Sequence, residues 1–230
     1  MGSRTGILGF TSALVVALLG ASCASQHARD GLAFDAAPLF GMVYDEENQP
    51  CAGVRLSVDG REGPLSDVRG RFVVPDLARG EHHLVARKGG YEDLAISIAF
   101  LDRTDVLHLR MTSFDQLLGM AQEALQDARF GDAEAYCTRA ERLDPSNAVL
   151  RYLFALHAWK TGQFVVAVGH LNAIVSAGGK QPAVLLFLAD LYERNLGDRE
   201  KAIESLEAYL VLRSDPDAEQ RLKALREQQR

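Results

Sequence analysis

The side chains able to do chemistry are few and scattered. Six histidines, His27, His82, His83, His108, His157 and His170, are the first candidates for metal binding or proton transfer. His82 and His83 are adjacent, so on a strand they point to opposite faces and cannot grip one ion together. His108 alternates with Leu107 and Leu109, which places it beside Arg110 on a solvent face. His157 and His170 fall on separate helices with no Cys, Asp or Glu at ligand spacing. The sequence has no Gly-x-Ser-x-Gly nucleophile motif, no glycine-rich phosphate loop and no His-x-x-Glu pair. Gly178-Gly179-Lys180 lacks the preceding strand and the following hydroxyl residue that a phosphate loop needs, and reads as a turn. Glu200, Glu204 and Glu207 with Lys201 form a solvated helix face. The expectation is binding rather than catalysis, with no metal and no cofactor.

Cysteine offers a different chemistry. Cys23 closes the run Leu18-Leu19-Gly20-Ala21-Ser22-Cys23, after an apolar stretch from Ile7 to Leu19 and a short amino terminus carrying Arg4. Charged, apolar and small-residue regions in that order predict a secretory signal peptide over residues 1–22, too short to span a bilayer, which takes roughly 20 apolar residues. The small residues followed by Cys23 resemble a bacterial lipobox, although Gly20 stands where that family usually has leucine. The resemblance implies cleavage before Cys23, acylation of its thiol and a lipid anchor in the cell envelope. Ala24, not aspartate, follows it, which by the same resemblance implies the outer membrane. Ordinary cleavage after Ala24, releasing a soluble protein, is the alternative.

Of the 230 residues, 208 remain without that leader, enough for two small domains. The net charge of −6 becomes −7, because residues 1–22 hold Arg4 and no acidic residue. An acidic chain without basic runs excludes nucleic acid as the expected partner. Cys51 and Cys137 fall in different predicted domains at apolar positions, so each is expected in a core and not in a disulfide.

Residues 23–38 read as anchor and tether, 39–112 as β, and 113–230 as helical. Val54, Leu56 and Val58 alternate with Arg55, Ser57 and Asp59, the period of a half-buried strand that Gly60 and Gly63-Pro64 are expected to end. Further strands are expected at 41–44, 72–74, 83–86, 94–99 and 106–111. Short strands with frequent turns predict a small antiparallel sandwich. Gly41-x-Val43, Pro50-x-x-Gly53-Val54, Ser66-Asp67-x-x-Gly70-x-Phe72, Leu77-x-x-Gly80 and Gly90-Tyr91 occur in order. Together they resemble the carboxypeptidase regulatory-like domain, which implies a seven-stranded transthyretin-like sandwich acting as an accessory module. Asp67 and Gly70 are expected to turn the chain before a buried Phe72, and Gly90 to seat Tyr91.

From Phe114 the period is helical and the sequence repeats. Ala121, Ala155 and Ala189 are spaced by 34 residues, as are Ala124, Ala158 and Tyr192; Phe130 with Phe164 and Ala133 with Ala167 keep the same step. This resembles the tetratricopeptide repeat (TPR). It implies a fold of three helix pairs, with a capping helix from Ala218 on, behind the sandwich. The third unit is one residue longer, and the extra residue is expected in the turn near Asn195-Leu196.

In this repeat family the first helix of each unit lines a groove. The resemblance therefore places Leu118, Tyr152 and Leu186 in one groove register, Gln122, Leu156 and Asp190 in the next, and Leu125, Trp159 and Glu193 in the third. Tyr152, Leu156 and Trp159 share one helix face, suited to a protein or peptide partner or to packing on the β domain. The family's clamp for peptide carboxylates is absent, with Leu118, Gln122, Leu153, Ala183 and Phe187 in its places. The expected function is a non-catalytic, lipid-anchored envelope scaffold binding proteins through the groove. The alternative is a glycan- or peptidoglycan-binding lipoprotein using the sandwich.

Overall fold

The computed structural model describes residues 36–101, 106–179 and 181–227. The predicted leader, Cys23 and His27 lie outside the described residues, as does Lys180. Among the described residues the fold is a seven-stranded β-sandwich followed by a TPR solenoid. None of the described helices is long and apolar enough to cross a membrane.

The strands are β1 (Ala36–Tyr44), β2 (Arg55–Val58), β3 (Arg61–Leu65), β4 (Arg71–Ala78), β5 (Gly80–Arg87), β6 (Leu94–Phe100) and β7 (Val106–Arg110). They form a sheet of order β4-β1-β7 and a second of order β3-β2-β5-β6. Every pairing is antiparallel except β1 with β7, which is parallel because the chain crosses from the second sheet back to the first before β7. Between the sheets lie Val43, Val54, Leu56, Phe72, Leu84 and Leu109, all buried.

Two segments differ from expectation. The first strand starts at Ala36, so residues 36–38 belong to the sandwich and not to the tether. Pro38 is tolerated in this central strand because the register shifts between Ala37 and Leu39, and a bulge has no ladder bond for the missing N–H to make. Gly63 and Pro64 do not end the β region; they sit inside β3, an edge strand, where a proline can face away from the ladder. Asp59 and Gly60, with φ of 51° and 76°, make the two-residue hairpin between β2 and β3.

Two of the glycines in the sequence pattern are there for contact. The Phe72 ring lies against Gly41, so a Cβ on Gly41 would come 2.1 Å from the ring's Cζ. Gly70, at φ 75°, sits where a Cβ would meet the Val43 carbonyl oxygen at 2.4 Å. Asp67 Oδ1 accepts from the backbone N–H groups of Arg69 and Arg71 at 2.8 and 2.9 Å. With the Arg71 guanidinium bonded to its other oxygen, these bonds hold the Asp67 carboxyl down at about 2.

The helices pair as α1 (Phe114–Gln126) with α2 (Phe130–Glu141), α3 (Ala148–Lys160) with α4 (Phe164–Ser176), and α5 (Pro182–Asp190) with α6 (Arg199–Leu212), closed by α7 (Pro216–Glu227). Ser113 and Gln116 form a capping box on α1, Asn147 caps α3, and Pro182 opens α5. The repeating alanines are buried in the solenoid core: Ala121, Ala155, Ala167, Ala189 and Ala202 have no exposed surface. Cys51 and Cys137 are buried and unpaired, as their apolar positions predict, and desolvation pushes the Cys137 thiol up to about 11.

First helices start at Phe114, Ala148 and Pro182, 34 residues apart, while second helices start at Phe130, Phe164 and Arg199. The extra residue of unit three therefore lies before Arg199. It is not taken up in the turn. Residues Leu191–Leu196 continue α5 as a π-helical turn, ended by Gly197 at φ 68°. A π-turn absorbs one residue without breaking the helix.

The sandwich meets the solenoid through a short polar joint. Phe114 N donates to Gly90 O at 2.8 Å, and Glu92 N to Thr112 O at 2.9 Å. Arg139 from α2 forks onto Glu92 with distances of 3.0 and 2.5 Å. The Gly90-Tyr91 turn thus serves this joint as well as the hairpin between β5 and β6.

Candidate partner-binding cleft

The described residues contain no group of three or more His, Cys, Asp or Glu side chains placed to hold a metal ion. The histidines do other work. The His157 ring is buried and meets Phe130 edge-on at 6.4 Å; the His170 ring stacks on Phe154 at 5.3 Å, and burial pushes its pKa down. His108 is exposed beside Arg110, on the face the alternation predicts, and stacks on Tyr44.

His82 is a latch. Its Nδ1 faces Asp59 Oδ2 at 2.7 Å and its Nε2 faces the Ala78 carbonyl at 2.8 Å, while Asp59 Oδ1 accepts from His83 N. Both ring nitrogens meet acceptors, so the imidazolium satisfies the site and the neutral ring leaves one contact unmade. The Asp59 hydrogen bond raises the His82 pKa and, reciprocally, lowers that of Asp59. The His82 share of stability is complete below 6.5 and disappears as pH rises through its raised folded value; the Asp59 share is complete above 3.8 and disappears only in stronger acid. Amide exchange at Asp59 and Gly60 is expected to quicken from pH 6 to pH 9 beyond the intrinsic rise. In Asp59→Asn that excess should vanish; an unchanged excess would contradict the latch.

The groove residues separate into two groups. Tyr152, Leu156 and Trp159 of α3 and Leu186 of α5 come together, and with Phe187, Ala183, Asp190, Leu191, Arg194 and Asn195 they line an open cleft of about 500 Å³. A second hollow of about 200 Å³ shares Tyr152 and Ala183 and runs on to Val149. The two make one trough along α3 from Val149 to Trp159, roughly 15 Å at 1.5 Å per residue. Among the described residues, every lining residue of the trough belongs to the solenoid. Trp159 is 40% exposed.

Leu118 and Leu125 are not in this cleft. Leu125 is buried in the core of unit one, and Leu118 is packed half-buried against the same core, which also contains Leu150 and Leu153 of α3. The register that exposes Trp159 in unit two is therefore closed in unit one. Gln122 is exposed and lines none of the described hollows.

Phe187, which the resemblance named only as standing at a lost clamp position, is a wall of the cleft. Its ring meets Trp159 edge-on at 5.6 Å and Tyr152 at 6.0 Å, tying the two walls together. Its signal was position: it follows Leu186 and faces the same cleft. At the far end Arg221 of α7 reaches back to Asp190 at 2.7 Å and Glu193 at 2.6 Å, so the cap pairs with both carboxylates and offsets one of their two charges. What remains is an apolar, aromatic trough with Arg194 and Asn195 at one end, suited to holding apolar side chains in an extended segment.

No family model matches the chain, and no curated protein is similar to it. Among solved structures, the Yersinia enterocolitica type III secretion chaperone SycD in complex with a peptide of the translocator YopD is similar over 50% of this chain and 94% of its own, at 16% identity and a TM-score of 0.46. The first TPR of Spaghetti (RPAP3), bound to an HSP90 peptide, matches 50% of this chain and 90% of its own, at 19% identity and a TM-score of 0.45. The N-terminal domain of the stress-induced protein STI-1 from C. elegans matches 49% and 94%, at 18% identity and a TM-score of 0.45. The solenoid is defined by this chain's own helix pairs.

Proposed function

We propose that this chain is a non-catalytic scaffold of the bacterial cell envelope, lipid-anchored through Cys23, that holds an apolar segment of a protein partner in the α3–α5 trough. The observation carrying this reading is Trp159, 40% exposed in an open, aromatic-walled cleft whose described lining residues all belong to the solenoid. Large rigid aromatics supply most of the energy at recognition surfaces, and exposing one to water is otherwise unfavourable. A trough of this length accommodates roughly five residues of extended chain at 3.3 Å each. The glycine and aspartate pattern from Gly41 to Tyr91 supports reading the sandwich as a carboxypeptidase regulatory-like accessory module between anchor and solenoid. The Cys23 run supports the anchor.

Trp159→Ala is expected to reduce recovery of partners in envelope pull-downs while leaving the helical circular dichroism intact. Equal recovery by the variant would sink the proposal. For the anchor, incorporation of radiolabelled fatty acid is expected in the wild type and not in Cys23→Ser; label retained by the variant would refute it.

A further inference from the structure

The outer face of the three-stranded sheet is apolar at one end and polar at the other. Phe40 of β1 stands between Val73 of β4 and Val106 of β7, its partners across the two ladders. Partners across a ladder share a face, and these three point to solvent, none of them less than 41% exposed. Pro38 and Ala36 of β1, with Pro75 and Ala78 of β4, continue that end of the sheet, where Asp76 is the one carboxylate on the described strands. The next rows are polar: Met42 lies between Arg71 and His108, and Tyr44 beside Arg110. Contiguous exposed apolar side chains of this size mark a contact surface.

The apolar end is also the end at which the chain enters the fold. β1 runs from Ala36 toward Tyr44, β7 runs parallel to it from Val106, and β4 runs the opposite way to Ala78 beside Ala36. Leu101, 61% exposed, belongs to the same end, because it follows Phe100, which pairs with Gly80 just after β4. Twelve residues, 24–35, separate Cys23 from Ala36, a reach of at most about 43 Å at 3.6 Å per residue. The nine residues of β1 alone measure about 30 Å. An anchor at Cys23 therefore holds the sandwich within little more than its own length of the bilayer, and holds it by the apolar end.

On the reading that Cys23 is the anchor, we infer that the tether end of the β4-β1-β7 face rests on the lipid surface. Phe40, Val73 and Val106 enter the boundary between headgroups and acyl chains, while Tyr44, Arg71, His108 and Arg110 stay on the headgroup and water side. Three side chains cover too little area to hold a free protein on a membrane. A tether removes that difficulty, because it presents the bilayer to the patch at a high effective concentration. The contact thus fixes how the sandwich stands on the membrane, and the anchor supplies the affinity.

The test holds the chain from Ala24 onward, with a polyhistidine tag in place of Cys23, on vesicles of phosphatidylethanolamine and phosphatidylglycerol containing nickel-chelating lipid. Its outcome is then independent of acylation. An environment-sensitive fluorophore is attached through Val73→Cys or, as control, through Val68→Cys in the turn at the far end; Cys51 and Cys137 are buried and do not compete for it. Nitroxide-labelled lipids are expected to quench position 73 and not position 68. Adding Phe40→Ser and Val106→Ser should reduce the quenching at 73 by about fivefold or more, with circular dichroism unchanged. No quenching at 73, equal quenching at both positions, or quenching indifferent to the two serines would overturn the inference. So would a photo-cross-linker at position 73 that captures a protein and not lipid in intact cells. If the double-serine variant does not fold, the comparison of 73 with 68 alone decides. Absence of fatty acid at Cys23 together with quenching at 73 would remove the anchor and leave the membrane face; fatty acid without quenching would do the reverse.

Discussion

Gly41→Ala is expected to destabilise the sandwich by about 3 kcal/mol, the upper end of the usual range for overpacking. The added methyl would lie 2.1, 2.5 and 2.8 Å from three atoms of the Phe72 ring, and Phe72 is itself buried between the sheets. Neither the ring nor β1, the central strand of its sheet, can move without disturbing its neighbours. Gly53→Ala separates this contact from simple backbone strain, since Gly53 has φ 70° but nothing within 4 Å of its would-be Cβ. Its cost should be about 1–2 kcal/mol, the left-handed penalty alone. Phe72→Leu combined with Gly41→Ala should recover part of the loss, because the two residues share one volume. Residue-resolved hydrogen exchange at Val43 reads the effect directly, since a chain with two folded parts need not unfold in one step. Equal losses for the two glycine variants would show that the ring contact is unimportant.

Leu171→Ala is expected to cost the solenoid about 2–5 kcal/mol, through lost transfer energy and the cavity left behind. Leu171 is fully buried in α4, inside a cluster that contains Ala155, Leu188, Leu206 and Tyr209 from α3, α5 and α6. Unit one has a separate cluster around Leu117, Ala121 and Cys137. In a solenoid each unit is supported by its neighbours, so exchange protection should fall furthest in α3–α6 and less in α1 and α2. Val165→Ala on the same helix, at a side chain 73% exposed, should change stability by less than about 0.5 kcal/mol. A denaturant midpoint moved equally by both variants would contradict this packing.

The sequence carried the architecture because its signals were periodic. Alternation at 54–58, the 34-residue alanine ladder and the Asp67–Gly70 turn each express a local physical need, and each recurs in the fold. The β3 strand was not legible because Gly63-Pro64 usually ends strands, and only its place at a sheet edge makes it tolerable. The parallel β1–β7 pairing depends on how the two sheets are connected, which no local pattern encodes. The extra residue of unit three was visible as a count but not as a conformation, because a loop and a π-turn absorb one residue equally well.

The cleft was half legible for a similar reason. Repeat spacing says which positions are equivalent, and so it grouped Leu125 with Trp159 and Leu118 with Leu186. It does not say where neighbouring helices separate. They stay closed over α1, where Leu125 is buried, and open between α3 and α5, where Trp159 and Phe187 face each other.

The central claim, that the α3–α5 trough holds a partner protein, is tested most directly by placing a photo-cross-linking residue at Ala183 inside the trough and, separately, at Val211, which is 84% exposed. Irradiation of intact cells should give a discrete protein adduct from position 183 and none from position 211. Adding Trp159→Ala should reduce that adduct by about tenfold or more, as removal of a central aromatic anchor does. Adducts of equal yield from both positions, or an adduct at 183 unchanged by Trp159→Ala, would contradict the trough as the recognition site.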